Sequence, residues 1–172
     1  MGYRSDVALI IHFSSQNEPE TAHLEYLKFQ HWVKHDLAVE SEDASTPETG
    51  VLKKYTYDDY VRGHLHDRDG ETMGWQPDQH MFMFQATNIK FYGTFPEVRI
   101  IEDILAESKS YPTAAYRFVR IGEEYEDIEV DDHQGDEYCT DRFSPEPWEL
   151  IEVERTFSFP PTPETLTKEI VV

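Results

Sequence analysis

The chain of 172 residues contains a single cysteine, Cys139. An intrachain disulfide and a zinc site built from four cysteines are therefore excluded, and we expect a reducing, cytoplasmic environment. The sequence also lacks the long apolar run of a membrane span or a signal peptide, because the apolar run near its N-terminus, residues 7–11, has only the length of a strand. These absences predict a soluble protein.

Basic residues are scarce: 15 Lys and Arg stand against 35 Asp and Glu, which gives a formal net charge of −20. Such a charge repels nucleic acid and anionic membranes, so direct binding to either is disfavoured, and it attracts basic protein surfaces. High net charge also keeps proteins soluble without any partner, and this second interpretation stays open. The charge therefore narrows the class of partner without identifying one.

The motifs of several large enzyme classes are missing as well. The chain contains no Gly-x-Ser-x-Gly nucleophile elbow, no Walker-type phosphate loop and no dinucleotide-binding fingerprint. Cys139 lies among Asp136, Glu137 and Asp141, whose negative charges disfavour the reactive thiolate. We therefore expect a protein without enzymatic activity and without a cofactor.

The pattern of apolar residues predicts one α+β domain over residues 1–172. Four short apolar runs have the length of strands, and two longer stretches repeat apolar side chains at helical spacing. The predicted strands are residues 6–13, 81–86, 89–92 and 115–121, and the predicted helices are residues 19–35 and the stretch from Thr94 to just before Pro112. A capping box of Thr94 and Glu97 begins the second helix. Thr87-Asn88 predicts a tight hairpin or a bulged strand.

The order strand, helix, strand, strand, helix, strand matches the split β-α-β motif of a ferredoxin-like sheet, extended by an acidic C-terminal strand region. Alternating apolar residues predict a terminal strand over residues 151–159, and residues 160–172 a loose tail. Residues 36–50 contain acidic side chains and no basic one, which predicts a mobile exposed loop. Residues 51–79 fit no element well, although Tyr55, Tyr57 and Tyr60 suit a strand.

Negative charge is concentrated in the C-terminal part of the chain. Residues 123–154 contain fourteen acidic residues and one basic residue, Arg142. A strand advances about 3.3 Å per residue, so alternate carboxylates such as Glu124 and Glu126 would form a regular negative array that imitates DNA phosphates. The alternative is a solvated acidic face. The candidate partner-binding residues are Glu123, Glu124, Glu126, Asp127, Glu129, Asp131, Asp132, Asp136 and Glu137.

Three further segments have a distinctive sequence. They are the opening Gly2-Tyr3-Arg4-Ser5-Asp6-Val7, the approach to the second helix (Phe91-Tyr92-Gly93-Thr94-Phe95-Pro96-Glu97), and residues 119–129. Together they resemble a group of small acidic proteins of bacteriophages and prophages. The resemblance implies a phage context, and hence the cytoplasm of a bacterial host, and it implies no catalytic residue. Residues 36–79 and the surroundings of Cys139 lie outside it.

Histidines and acids between residues 64 and 80 form a second candidate site. The residue types that can ligate zinc or a harder cation are His64, His66, Asp67, Asp69 and His80. Their spacing does not match the calcium-binding loop of an EF-hand. A metal-dependent enzyme centred on His64, His66 and Asp67 is therefore one alternative, and a polar turn with hydrogen-bonded histidines is the other.

Two other groups of residues have an ordinary structural interpretation beside a functional one. His31 and His35 stand four apart on the first predicted helix, but Trp32 occupies the position of the catalytic glutamate of zinc proteases, which excludes that class. The aromatic residues of the acidic segment either form hot spots for a protein partner or belong to the core. These aromatic residues are Tyr125, Tyr138, Phe143 and Trp148.

The sequence thus predicts a non-enzymatic protein of phage origin that engages a basic surface of a host protein, one that itself binds nucleic acid. A DNA-mimicking inhibitor of a nuclease or of an RNA-guided (CRISPR) defence complex fits this description. A metal-dependent enzyme is the first alternative. An acidic structural or assembly protein of the virion, which would form homo-oligomers, is the second.

Overall fold

The computed structural model describes residues 4–42, 52–56, 72–124, 126–142 and 144–151. These residues form an α+β structure with a five-stranded antiparallel sheet and two main helices. The strands are β1 (Ser5–Phe13), β2 (Ala38–Glu42), β3 (Leu52–Thr56), β4 (Thr72–Gln76), β5 (Met81–Ile89), β6 (Ala114–Gly122) and β7 (Ile128–Gln134). The helices are α1 (Pro19–His31), α2 (Pro96–Ser108) and the short α3 (Pro147–Leu150).

The main sheet has the strand order β4-β5-β1-β6-β7, and every neighbouring pair is antiparallel. β1 occupies the centre, as its continuous apolar run predicts, because a central strand is buried on both faces. β2 and β3 form a separate two-stranded sheet. Among the strands that the structure describes, β7 pairs only with β6, so it lies at an edge of the main sheet.

The core lies between one face of the main sheet and the two main helices. Alternate residues of β1, such as Leu9 and Ile11, are fully buried in it, as the two-residue period of a strand requires. From α1, Phe29 inserts between Phe13 and Phe82, with ring centroids 5.3 and 6.4 Å away. Burial of these large apolar side chains stabilises the sheet on which the polar residues are arranged.

Both predicted helices are confirmed, although their ends differ from the prediction. α1 begins at Pro19, whose fixed backbone angle suits a first turn, and a π-helical turn over Trp32–Asp36 continues it. α2 begins at Pro96 with Phe95 as its N-cap residue. The capping box predicted at Thr94 is therefore wrong, because Thr94 lies in a turn closed by the hydrogen bond from Phe95 N–H to the Tyr92 carbonyl, and the helix begins after Phe95.

Thr87-Asn88 forms a bulge and not a hairpin. β5 continues through these residues to Ile89, and its register with β1 shifts there. Asn88 has a left-handed backbone with φ of 56°, which asparagine tolerates better than most residues. Its N–H donates a hydrogen bond of 2.8 Å to the carboxylate of Asp6 on β1. The bulged-strand alternative is confirmed.

The prediction of a loop over residues 36–50 is wrong in part, because β2 lies within it. Five of the fifteen residues of that segment are acidic, yet Val39 is buried while Glu40 is exposed, which is the alternation of a strand. The unassigned stretch 51–79 contains β3 and β4. Residues 43–51 and 57–71, and the predicted terminal strand and tail beyond Ile151, lie outside the described residues. No helix in the described part is long and apolar enough to cross a membrane.

Candidate functional site

The acidic edge, our name for residues 123–137, consists of β7 and the turns on either side of it. It contains all nine candidate partner-binding residues that the sequence predicts. Seven of them are exposed, and Asp127 and Asp131 are half-buried. The structure therefore brings these carboxylates together along one side of the sheet.

Glu124 and Glu126 do not form the regular array expected of a strand. The β6–β7 connection contains both residues, and β7 begins only at Ile128. Within this connection Gly122 N–H donates to the Asp127 carbonyl, and Asp127 N–H donates to the Glu124 carbonyl. The strand itself carries Glu129, Asp131 and Asp132.

Arg120 on β6 holds the start of the acidic edge in place. Its two terminal nitrogens bind both carboxylate oxygens of Asp127, at 2.8 and 2.9 Å, and its Nε donates to Glu129 at 3.1 Å. The Arg120 side chain is only 18% exposed, so this ion pair is largely shielded from solvent. Hydrogen bonds to Asp127 are the main cause that raises the pKa of Arg120, so the guanidinium stays charged.

Arg117 performs a similar function further along the strand. It stands opposite Asp132 in the register of β6 and β7 and binds both of its carboxylate oxygens at 2.8 Å. The same guanidinium donates to the carbonyls of Trp148 and Ile151 at 3.2 and 3.1 Å. Arg117 thus connects the acidic edge to the segment that contains α3.

Asp131 faces the helical side of the sheet. Its carboxylate accepts a hydrogen bond of 2.7 Å from the hydroxyl of Tyr116, whose side chain is fully buried. Burial first, and then the Asp131 carboxylate, raise the pKa of Tyr116, so the phenol stays protonated and donates. The Asp131 carboxylate therefore contributes to the packing of the sheet as well as to the negative charge of the surface.

The acidic edge remains strongly negative after these pairings. Arg117 and Arg120 can neutralise two of its nine carboxylates. Glu126, Asp136 and Glu137 are exposed at the two ends of the strand. Because exposed charges act on a partner before contact, this surface can attract cationic groups and accelerate their encounter.

Apolar side chains are interspersed with the acids on β7. Ile128 and Val130 are 40% and 46% exposed, so they present apolar area to solvent. They alternate with Glu129 and Asp131, which point to the opposite face of the strand, and Asp132 lies on the same face as Ile128 and Val130. A partner that follows β7 would meet Glu129 and Asp131 on one face, and the apolar area of Ile128 and Val130 beside Asp132 on the other.

The aromatic candidates separate into different groups. Tyr138 is buried, with its ring 5.7 Å from His12 and 6.2 Å from the half-buried Trp148. Its core interpretation is therefore confirmed, and it cannot be a surface hot spot. Tyr125 and Phe143 lie outside the described residues.

The structure describes only one of the five residues of the predicted metal site. His64, His66, Asp67 and Asp69 lie outside the described residues, so a metal-dependent enzyme centred on them stays a prediction. His80 is described, and its ring nitrogen Nε2 lies 2.9 Å from Nδ1 of His23 on α1. Among the residues that the structure describes, no group of three or more His, Cys, Asp or Glu side chains is arranged to hold a metal ion.

A cavity of about 360 Å³ lies beside His80 at the end of β1. His12, Ser15 and Asp78 contribute polar groups to its lining. His80 has a left-handed backbone with φ of 50°, and such strained residues occur more often near functional sites than elsewhere. His12 and His23 could not be identified from the sequence, because nothing in their local sequence indicates that the end of β1, which carries His12, and α1, which carries His23, meet at His80.

His12 provides a prediction about pH. Burial, with a smaller contribution from the nearby His80, lowers the pKa of His12 to about 4. Its Nδ1 lies 2.9 Å from the hydroxyl of Tyr138. The folded pKa lies below the unfolded value of about 6.5, so the unfolded chain binds the proton more tightly in this range.

We therefore expect the His12 contribution to the free energy of unfolding to be complete above pH 6.5 and to decline as the pH falls towards 4. Urea unfolding of the wild type and of His12→Gln at several pH values measures this contribution. The other titrating groups are present in both proteins, so the difference between the two stabilities isolates the effect of His12. The difference in stability between them should shift in favour of the variant as the pH falls. A difference that is constant across this range would contradict the burial of a neutral His12.

His31, His35 and Cys139 show no catalytic arrangement among the described residues. The His31 and His35 rings lie 4.6 Å apart, so they do face the same side, and both are exposed. The sulfur of the half-buried Cys139 accepts a hydrogen bond of 3.0 Å from the backbone N–H of Gln16. These contacts have structural roles.

Comparisons with known proteins add no family to this picture. No family model, no curated protein and no solved structure matches the chain.

Proposed function

We propose that the chain is a non-enzymatic binding protein whose acidic edge engages a basic surface of another protein. The observation that supports this most is the concentration of nine carboxylates on one exposed sheet edge, where Arg117 pairs with Asp132 and Arg120 with Asp127 and Glu129. A folded protein gains little stability from so many like charges side by side. Attraction of a cationic partner is a functional reason for such an arrangement.

The partner is a protein that normally binds nucleic acid. β7 has seven residues and is therefore about 23 Å long at roughly 3.3 Å per residue. Three of the nine carboxylates lie on this strand, roughly one per 8 Å, and the other six lie in the turns at its two ends. The acidic edge is therefore an extended anionic surface, as a DNA strand is, although its charge density on β7 is lower than the one charge per about 3.4 Å of a DNA strand. A groove lined with lysine and arginine would bind this edge through the electrostatics that it uses for phosphates.

The phage resemblance of the sequence supports a narrower form of the proposal. In a bacterial host, a phage protein of this kind would act as a DNA mimic towards a nuclease or an RNA-guided (CRISPR) defence complex. Virion assembly receives less support, because two acidic edges repel each other and disfavour self-association through this surface. For a metal-dependent enzyme, no observation on the described residues provides support.

We also propose that the fold is ferredoxin-like at its centre. Without the β2–β3 hairpin, the order of elements is β1, α1, β4, β5, α2, β6, with β7 added. β5 lies between β1 and β4, and β1 lies between β5 and β6, so each helix connects two strands with a third between them. This order supports a split arrangement of the ferredoxin-like kind, in which β7 would be the extra acidic strand.

Affinity capture from a bacterial lysate at low and moderate salt tests the proposed function. We expect the wild-type chain to retain a nucleic-acid-binding protein at low salt, with weaker retention at moderate salt because salt screens exposed charges. Added duplex DNA should release the retained protein. Retention that neither salt nor DNA weakens would contradict the proposal.

A further inference from the structure

On one side of β7 the backbone pairs with no strand among the described residues, and two hydrogen bonds show which side this is. Gly122 N–H donates to the Asp127 carbonyl at 2.7 Å, and Gly135 N–H donates to the Ala114 carbonyl at 2.8 Å. These bonds lie immediately beyond the two ends of the β6–β7 ladder. In an antiparallel ladder, bonded and non-bonded residue pairs alternate. The odd-numbered residues of β7 therefore bond to β6.

The even-numbered residues of β7 direct their backbone groups away from β6. They include Val130, Asp132 and Gln134, each of which presents an N–H and a C=O at the edge of the sheet. No described strand pairs with this side of β7. Unpaired backbone groups on an exposed edge are a template for another strand.

The side chains on β7 select which strand can be added. On one face, Glu129 accepts from Arg120 and Asp131 accepts from the neutral Tyr116, so this face stays negative and favours cationic neighbours. On the other face, Arg117 pairs with Asp132, and the exposed Ile128 and Val130 favour apolar neighbours. A second copy of β7 would place acids beside acids, and like charges in neighbouring strands are destabilising. The complementary segment is extended and alternates basic with apolar residues.

We propose that β7 binds an extended basic segment of its partner by strand addition, with main-chain hydrogen bonds to Val130, Asp132 and Gln134. This inference rests on the proposed function and states how the partner is held. Main-chain bonds would supply affinity, and the alternating side chains would supply specificity. The basic residues of the partner would lie beside Glu129 and Asp131.

The test uses the full chain and two labelled peptides of about ten residues with equal charge. One alternates lysine with valine, and the other alternates lysine with proline, which cannot donate main-chain hydrogen bonds. We expect the lysine-valine peptide to bind and the lysine-proline peptide to bind about tenfold more weakly, which corresponds to a loss of roughly 1.4 kcal/mol.

Proline substitutions in β7 test the same main-chain hydrogen bonds by changing the protein and not the peptide. Val130→Pro and Gln134→Pro each remove an outward N–H without removing a bond to β6, and proline is tolerated at such edge positions. Each proline substitution should weaken the binding of the lysine-valine peptide about tenfold. The control variants Val130→Thr and Gln134→Ala should bind this peptide with an affinity within about twofold of that of the wild type. Urea unfolding establishes that both proline variants are folded, and either one suffices for the comparison.

Four results would overturn strand addition. Equal binding of both peptides, or no effect of the proline substitutions on a salt-sensitive complex, would mean attraction by charge alone and would leave the proposed function intact. Absence of lysine-valine binding by the wild type would also reject it, and lysate capture would then decide the proposed function separately. Dimerisation of the wild type that Val130→Pro abolishes would assign the edge to a second copy.

Discussion

Replacing Gly135 with alanine should lower the free energy of unfolding by about 3 kcal/mol, because the new methyl group overlaps backbone atoms that cannot move aside easily. A Cβ on Gly135 would collide with the carbonyl group of Pro112 and come within 2.9 Å of the carbonyl oxygen of Ala114. The Pro112 carbonyl also accepts the N–H of Glu137 at 3.0 Å. The collision would therefore displace the end of the acidic edge.

Gly74 on β4 provides a matched control for this substitution. A Cβ at Gly74 meets no atom within 4 Å, so Gly74→Ala should change stability little. Urea unfolding of the two variants measures the contrast. Equal stabilities would show that the turn after β7 is not packed against Pro112 as described.

Replacing Arg120 with methionine has the second large expected effect, a loss of about 3 kcal/mol. The substitution keeps the length of the side chain but leaves Asp127, which is 27% exposed, without its paired guanidinium. Removing one member of a largely shielded ion pair costs more than the pair contributes, because the remaining charge stays desolvated. Glu129 and Ser5 lose a hydrogen-bond donor in the same substitution.

Arg120→Lys separates the two causes of this loss. Lysine keeps the positive charge but cannot form the paired hydrogen bonds that the guanidinium makes with one carboxylate. We expect its stability to lie between those of the wild type and Arg120→Met in urea unfolding. If Arg120→Met were as stable as the wild type, the ion pair would not hold the start of the acidic edge.

The central part of the fold could be predicted from the sequence, because its signals are local. Residues 6–13 form one apolar run and residues 96–108 repeat apolar side chains at helical spacing, so β1 and α2 were expected close to their observed positions. β2 was missed because its acidic residues also suit a loop, and only tertiary packing shows that Val39 is buried. β4 contains a glycine and no alternating pattern.

The composition of the candidate site was predictable, but its internal contacts were not. The run of acids from Glu123 to Glu137 is visible in the sequence, and it does lie together in the structure. Which acids pair with Arg117 and Arg120 depends on the register of β6 against β7. That register depends on the length of the turn between the strands. In the structure, the hydrogen bond from the Gly122 N–H to the Asp127 carbonyl defines this length, and the sequence alone does not reveal that bond.

Because some acids stabilise the fold, a test of the central claim must change others. Glu126, Asp136 and Glu137 are exposed on the acidic edge, and none of them is paired with Arg117 or Arg120. An edge variant combines Glu126→Gln, Asp136→Asn and Glu137→Gln. A control variant combines Glu20→Gln, Asp36→Asn and Asp78→Asn, which are exposed acids outside the acidic edge. Each variant loses three negative charges, so the two have the same net charge.

The measurement that tests the central claim most directly is the affinity of these two variants for the protein that the wild type captures, at one low salt concentration. We predict that the edge variant binds at least about tenfold more weakly than the wild type, and that the control variant binds nearly as well, because close charges act more strongly than distant ones. Equal weakening of both variants would mean that net charge alone attracts the partner. Unchanged binding by the edge variant would contradict the acidic edge as the binding surface.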